Sequence, residues 1–292
     1  MSIIDTTANT QSSIPCLLSQ GVQTVIRYYN FSNSSTFPQK RLELPEAELL
    51  SANGLQIGVV FQQRQNQVAD FSESIGISAG RRAYRHAKDN IGQPAGSGIY
   101  FSVDFDASSD EIRDSIAPYF NGVRQGFAAE SGNAIDYRVG AYGSGLVCKT
   151  LTAASLIQLT WLAMSRGFRG TREALAAGEF HLAQKAPEAT LCGLDVDFND
   201  SNPARPDFGA FRVDTDAGAS GSSTNAGERF KVIARSGLRL REGPGTDFDI
   251  IGSLQFGQIV FVKSITDQWA RVDVEGDGQV DGFASAGFLE RV

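Results

Sequence analysis

The feature that most constrains this 292-residue chain is an alternation running through its first two thirds. Short β-branched and aromatic runs are separated by longer amphipathic stretches. A run of the first kind reads as a strand buried on both faces, and a stretch of the second as the helix that covers it. The runs fall at 3–5, 24–29, 56–62, 98–106, 138–142, 159–163, 180–184 and 194–198, and the clearest helices at 45–52, 74–90, 109–131 and 145–154. Pro45 suits the first turn of the first helix, and Ser108, Asp110 and Glu111 mark a capped, acidic start to the third. Eight strands with intervening helices predict an α/β fold, a closed (β/α)8 TIM barrel. The competing open, doubly wound sheet would carry Gly-x-Gly-x-x-Gly in its first turn, and none is present.

The fourth run ends in Val103-Asp104-Phe105-Asp106, and the eighth holds Leu194-Asp195-Val196-Asp197. Strand alternation predicts Asp104 and Asp106 on one face and Val103 and Phe105 on the other. The first run ends in Asp5, and in a closed barrel the first and eighth strands are neighbours, so Asp5 is expected beside Asp195 and Asp197. Carboxylates at a barrel mouth are costly to bury and are expected to bind or react. A pair across a cleft is what glycoside hydrolysis needs, one acid for the leaving oxygen and one carboxylate for the sugar carbon or a water. Crowding of like charges keeps one of them protonated near neutral pH. Arg27, Tyr28, Tyr29, Gln62, Tyr142 and Gln184 at other strand ends, with Trp161 on the sixth, supply the aromatic faces and hydrogen-bonding forks of a sugar site. Each of these residues taken alone also fits packing, and Asp106 is placed to cap the next helix.

A formal charge of −7 and a pI near 5.0, with no basic run, argue against a nucleic-acid partner. Cys16, Cys148 and Cys192 are odd in number and scattered, so no disulfide framework is expected. With two histidines and no Cys-x-x-Cys or His-Glu-x-x-His, neither a metal nor another cofactor is predicted. No apolar run of about 18 residues predicts a membrane span. The start lacks the basic flank and apolar core of a secretion signal. The expectation is therefore synthesis in the cytoplasm, with any action at a wall or in a periplasm following non-Sec export or lysis.

Three segments are expected: a barrel over 1–212, a linker over 213–228 rich in Gly, Ala, Ser, Thr and Asn, and a domain over 229–292. In the last, turns at Gly243-Pro244-Gly245, Gly257-Gln258 and Gly282 separate short strands, as in a small all-β barrel.

Asp5, Ile99-Tyr-Phe-Ser-Val-Asp104-Phe-Asp106 and Val196-Asp197-Phe-Asn199 resemble the family-25 glycoside hydrolases, the lysozyme-type muramidases, and more closely the related glycoside-hydrolase-like domains of bacteria. By that resemblance Asp5, Asp104 and Asp197 match in type, and Asp106, one methylene shorter, stands where the family has its catalytic Glu. It implies Asp106 as acid/base, Asp104 and Asp197 stabilising the oxocarbenium-like state or activating water, and Asp5 positioning them. Gly237-Leu-Arg-Leu-Arg-Glu-Gly-Pro-Gly-Thr246, Gly252-Ser-Leu-Gln-Phe-Gly257 and Trp269-Ala-Arg-Val272 resemble bacterial SH3 domains, which tether wall-degrading enzymes to peptidoglycan. Trp269 is expected in the core of that small barrel. Together the resemblances imply a muramidase-like hydrolase of the peptidoglycan glycan strand. The alternative is a non-catalytic wall-binding protein that keeps the sugar groove. The partner implied is peptidoglycan or another cell-wall glycan, with an immunity or delivery protein as a further candidate.

Overall fold

A computed structural model describes residues 2–31, 33, 36–132, 137–214, 227–248, 250–274, 276 and 280–292. The chain divides into two units, Met1–Asn30 with Gln39–Asp216, and Phe31–Pro38 with Ala217–Val292. Most of the linker expected over 213–228 lies outside the described residues.

In the first unit eight strands close into a barrel in sequence order. β1 (Ser2–Asp5), β2 (Val22–Tyr29), β3 (Gln56–Phe61), β4 (Gly98–Ser102), β5 (Arg138–Gly143), β6 (Leu159–Leu162) and β7 (Leu182–Leu191) pair in parallel. β8 (Leu194–Ser201) runs the other way. It is antiparallel to β7 through a two-residue turn at Cys192 and Gly193, and antiparallel to β1, with Asp5 opposite Asp197. The regular (β/α)8 expectation is corrected there: the barrel is closed, but its last unit is a hairpin without a helix. Cys192 and Gly193 both take positive φ, the geometry that tight hairpin turns need.

The helices are α1 (Ile14–Ser19), α2 (Leu44–Ala52), α3 (Glu73–Arg85), α4 (Ser109–Glu111), α5 (Ala117–Ser131), α6 (Gly145–Ala153) and α7 (Thr171–Ala177). Ser108 caps α4 in a full capping box with Glu111, as its sequence implies. α3 and α5 approach so closely that a Cβ at Gly76 or Gly122 would overlap a backbone carbonyl of the facing helix. Ile3, Ile26, Val60, Tyr100, Leu159, Trp161, Leu182 and Phe208 fill the barrel interior. Ile57 and Phe211 exchange backbone hydrogen bonds of 2.8 and 2.9 Å. Cys16 on α1 and Cys192 at the hairpin tip form a disulfide, where the scattered cysteines had implied no disulfide framework; Cys148 stays reduced and buried.

The second unit is a seven-stranded antiparallel sheet over Leu238–Arg241, Ile250–Leu254, Ile259–Thr266 and its neighbours. Its core holds Val232, Leu240, Leu254, Val260, Ala270, Val272 and Ala284. Trp269 is only half-buried and lines a groove of about 390 Å³ with Arg239, Thr246 and Phe288, so it is not the closed-core residue expected.

Candidate active site at the barrel mouth

Strand parity decides which side chains meet. Ile26, Val60, Tyr100 and Trp161 point into the barrel, so the residues two places on in the same strands do too. That rule brings Tyr28, Gln62 and Ser102 to the mouth, with Gln184 two places beyond the inward Leu182, while Tyr142 packs against the same interior cluster. With Trp161, Asp104, Glu188 and Asp197 they line a cavity of about 650 Å³.

Asp5 lies just beneath this layer and is 2% exposed. Its Oδ2 accepts hydrogen bonds from Asn199 Nδ2 at 2.8 Å and Gln184 Nε2 at 3.0 Å, and the Tyr28 hydroxyl lies 3.4 Å from Oδ1. Burial raises the Asp5 carboxyl from its ordinary value to about 7. The Asn199 hydrogen bond opposes this, the Asp197 charge adds to it, and the Gln184 and Tyr28 bonds oppose it again. Asp197 Oδ2 accepts from the same Gln184 nitrogen at 3.0 Å, so these two carboxyl oxygens are no farther apart than twice that distance. Asp197 is raised to about 6 by burial, then by the charges of Glu188 and Asp104. Its Oδ1 is buried with no hydrogen-bond partner among the described residues.

Asp104 follows the end of β4 and is exposed, with Gln62 Nε2 donating to it at 3.1 Å. Lys40 Nζ donates to Gln62 Oε1 at 3.3 Å and stands 4.5 Å from the centre of the Tyr28 ring. Burial lowers the Lys40 amine to about 8, against the attraction of Asp104.

Other expected residues sit elsewhere. β4 ends at Ser102, and the chain then bends, so Asp106 does not share the face of Asp104. It accepts from the Arg169 backbone N–H at 2.7 Å and pairs with the Arg169 guanidinium at 3.1 Å, away from the cavity lining. Arg27 and Tyr29 have the opposite parity to Tyr28 and point outward. Arg27 is fully buried against Glu46 of α2 at 2.9 Å, and the Tyr29 hydroxyl donates to Gln93 at 2.8 Å. Asp195 is exposed, with Thr190 Oγ1 at 3.4 Å. Tyr142 and Gln184 reach the cavity as expected, and Trp161 lines it while its Nε1 donates to Asn199 Oδ1 at 2.8 Å. Lys40 and Glu188 were not anticipated, while Tyr28 was expected only as one of three residues ending the second strand and Asn199 only as part of the family motif. For Tyr28 and Asn199 the signal was present in strand parity; for Lys40, in the loop after β2, there was none.

A closed eight-stranded barrel with buried and half-buried carboxyls around an aromatic-walled mouth defines a glycoside-hydrolase-like domain. The chain belongs to the Rv2525c-like, glycoside hydrolase-like domain family, whose profile matches residues 15–200, and a bacterial SH3 domain matches residues 236–290. The Bacillus subtilis protein YbfG is 32% identical over 159 residues, 53% of this chain. The chain spans only about a fifth of that relative, the match covering 22% of its length. Among solved structures, the Mycobacterium tuberculosis Tat-secreted protein Rv2525c in complex with L-tartrate superposes with a TM-score of 0.59 at 24% identity, covering 72% of this chain and 98% of that one. A Bacillus stearothermophilus protein superposes with a TM-score of 0.52 at 15% identity, over 72% of this chain and all of that one. Both share the fold.

Proposed function

We propose that the barrel cleaves the glycan strand of bacterial cell wall in the manner of a muramidase, and that the SH3 domain holds it on peptidoglycan. Asp197 serves as the proton donor. Asp104, in the same cavity, is the carboxylate that stabilises the oxocarbenium-like state or activates water. Asp5 sits beneath them as support. The observation that carries this reading is Asp197 itself. It faces the cavity, is raised to about 6 and so retains a proton fraction near neutral pH, and has one buried oxygen with no hydrogen-bond partner among the described residues. Tyr28 and Tyr142 offer ring faces for sugars. Action at the wall is supported by the Cys16–Cys192 disulfide, since such bonds persist in oxidising compartments.

One observation favours the second reading, a wall-binding protein without turnover. Asp106, the acid/base implied by the muramidase resemblance, is engaged by Arg169 outside the cavity lining. The two readings separate on purified sacculi. Wild-type protein is expected to release reducing sugars, and Asp197→Asn to lose about 10²–10⁴ in rate with binding retained. Asp104→Asn is expected to be nearly as damaging, and Asp106→Asn to stay within a few-fold of wild type. Loss of turnover with Asp106→Asn while Asp197→Asn remains active contradicts the assignment of roles.

A further inference from the structure

Three side-chain amides at the barrel mouth stand in the same arrangement, each between a donor and a carboxylate. Trp161 Nε1 can only donate, so Asn199 must turn its oxygen to the indole and its nitrogen to Asp5. Lys40 likewise can only donate, so Gln62 presents oxygen to the ammonium and nitrogen to Asp104. For Gln184 the donor is the Tyr142 hydroxyl, 2.8 Å from Oε1, and the one amide nitrogen is left 3.0 Å from both Asp5 Oδ2 and Asp197 Oδ2. That nitrogen carries two hydrogens, one for each carboxyl. Turned over, Gln184 would set its oxygen against both carboxyls and withdraw both donors.

We infer that Tyr142 is a positioning residue: its hydroxyl fixes the Gln184 amide so that a single nitrogen clamps Asp5 and Asp197 into one unit, as Trp161 fixes Asn199 on Asp5. Tyr142, Gln184 and Trp161 then act on the carboxyls, a role additional to the sugar contacts expected of them. The clamp's consequence for turnover rests on the hydrolase reading; the clamp itself is a matter of proton affinity. A hydrogen bond given to a carboxylate favours its charged form, so the clamp opposes the burial that favours the acid. The groups facing the pair are Tyr28 from β2, Gln184 and Glu188 from β7, Asn199 from β8 and Asp104 beyond β4. Removing the Tyr142 hydroxyl releases Gln184 and replaces none of these groups, and the Tyr142 ring also packs edge-on to Trp161 at 4.8 Å.

The test is an NMR titration of the full chain labelled with ¹³C at the aspartate carboxyls, in wild type, Tyr142→Phe, Gln184→Met and Asn199→Leu. Tyr142→Phe keeps the ring and is expected to raise the Asp197 midpoint by about half a pH unit, roughly threefold in proton affinity. Gln184→Met, which has no donor, is expected to raise both Asp5 and Asp197 by about one unit, roughly tenfold. Asn199→Leu is expected to raise Asp5 more than Asp197. Midpoints within about 0.2 unit of wild type in Tyr142→Phe and Gln184→Met overturn the clamp, because a hydroxyl and an amide that merely fill space leave proton affinity unchanged. Sugar release from sacculi is read on the same samples. Shifted midpoints with no release by wild type keep the clamp and sink the hydrolase; release with unshifted midpoints does the reverse.

Discussion

At the residue scale, Asp5 is a buried carboxyl held by two amides and one hydroxyl, and its proton lowers the cost of burial. Its folded value, about 7, stands above the ordinary unfolded value near 4. The folded state therefore binds more protons between those limits. The contribution of this group to stability is fully present below about pH 4 and is lost as pH rises through about 7. Thermal melts from pH 4 to 8 are expected to show wild type losing stability relative to Asp5→Asn as pH rises, by on the order of a few kcal/mol across the range. A difference that grows in the other direction contradicts the burial argument. The acids at strand ends were legible because carboxylates interrupt otherwise apolar runs. Arg27 and Tyr29 show what was not: choosing polar strand-end residues without fixing parity selects both faces, and these two face the helices while Tyr28 faces the mouth.

At the scale of elements, the number and order of the strands were readable from apolar runs, while the direction of the last was missed. Only nine residues separate Gln184 from Leu194, and a parallel crossover takes a dozen or more, so a hairpin through Cys192-Gly193 was the geometry the chain length allowed. The disulfide was hidden for a related reason. Its cysteines are 176 residues apart, and only closure of the barrel brings α1 beside the hairpin tip. The hairpin carries Gln184, Asp197 and Asn199, so this tether bears on the site as well as on the fold. Mass analysis without reductant is expected to find Cys16 joined to Cys192, and the double Cys→Ser variant to lose about 2–5 kcal/mol. Two free thiols in oxidised protein contradict the pairing. The packing of α3 on α5 makes a second demand. Gly122→Ala is expected to cost about 1–3 kcal/mol in chemical denaturation, because its Cβ has no space beside the Glu73 carbonyl. An unchanged midpoint contradicts so close a helix contact.

At the scale of the whole molecule, the two family matches cover residues 15–200 and 236–290. A fragment ending at Asp214 and one starting at Gly227 are each expected to melt cooperatively, since each contains its own buried core. A non-cooperative melt of either contradicts that independence. The acidic balance of the chain fits a neutral or cationic ligand better than a polyanion. The central claim, that the carboxyls at the barrel mouth perform chemistry on a glycan, is tested most directly by measuring reducing sugars released from purified sacculi by wild-type protein from about pH 4 to 8. Release is predicted to be greatest at about pH 5 and to fall as pH rises through about 6, as Asp197 loses its proton. Protein that binds sacculi but releases no sugar at any pH in that range contradicts the claim.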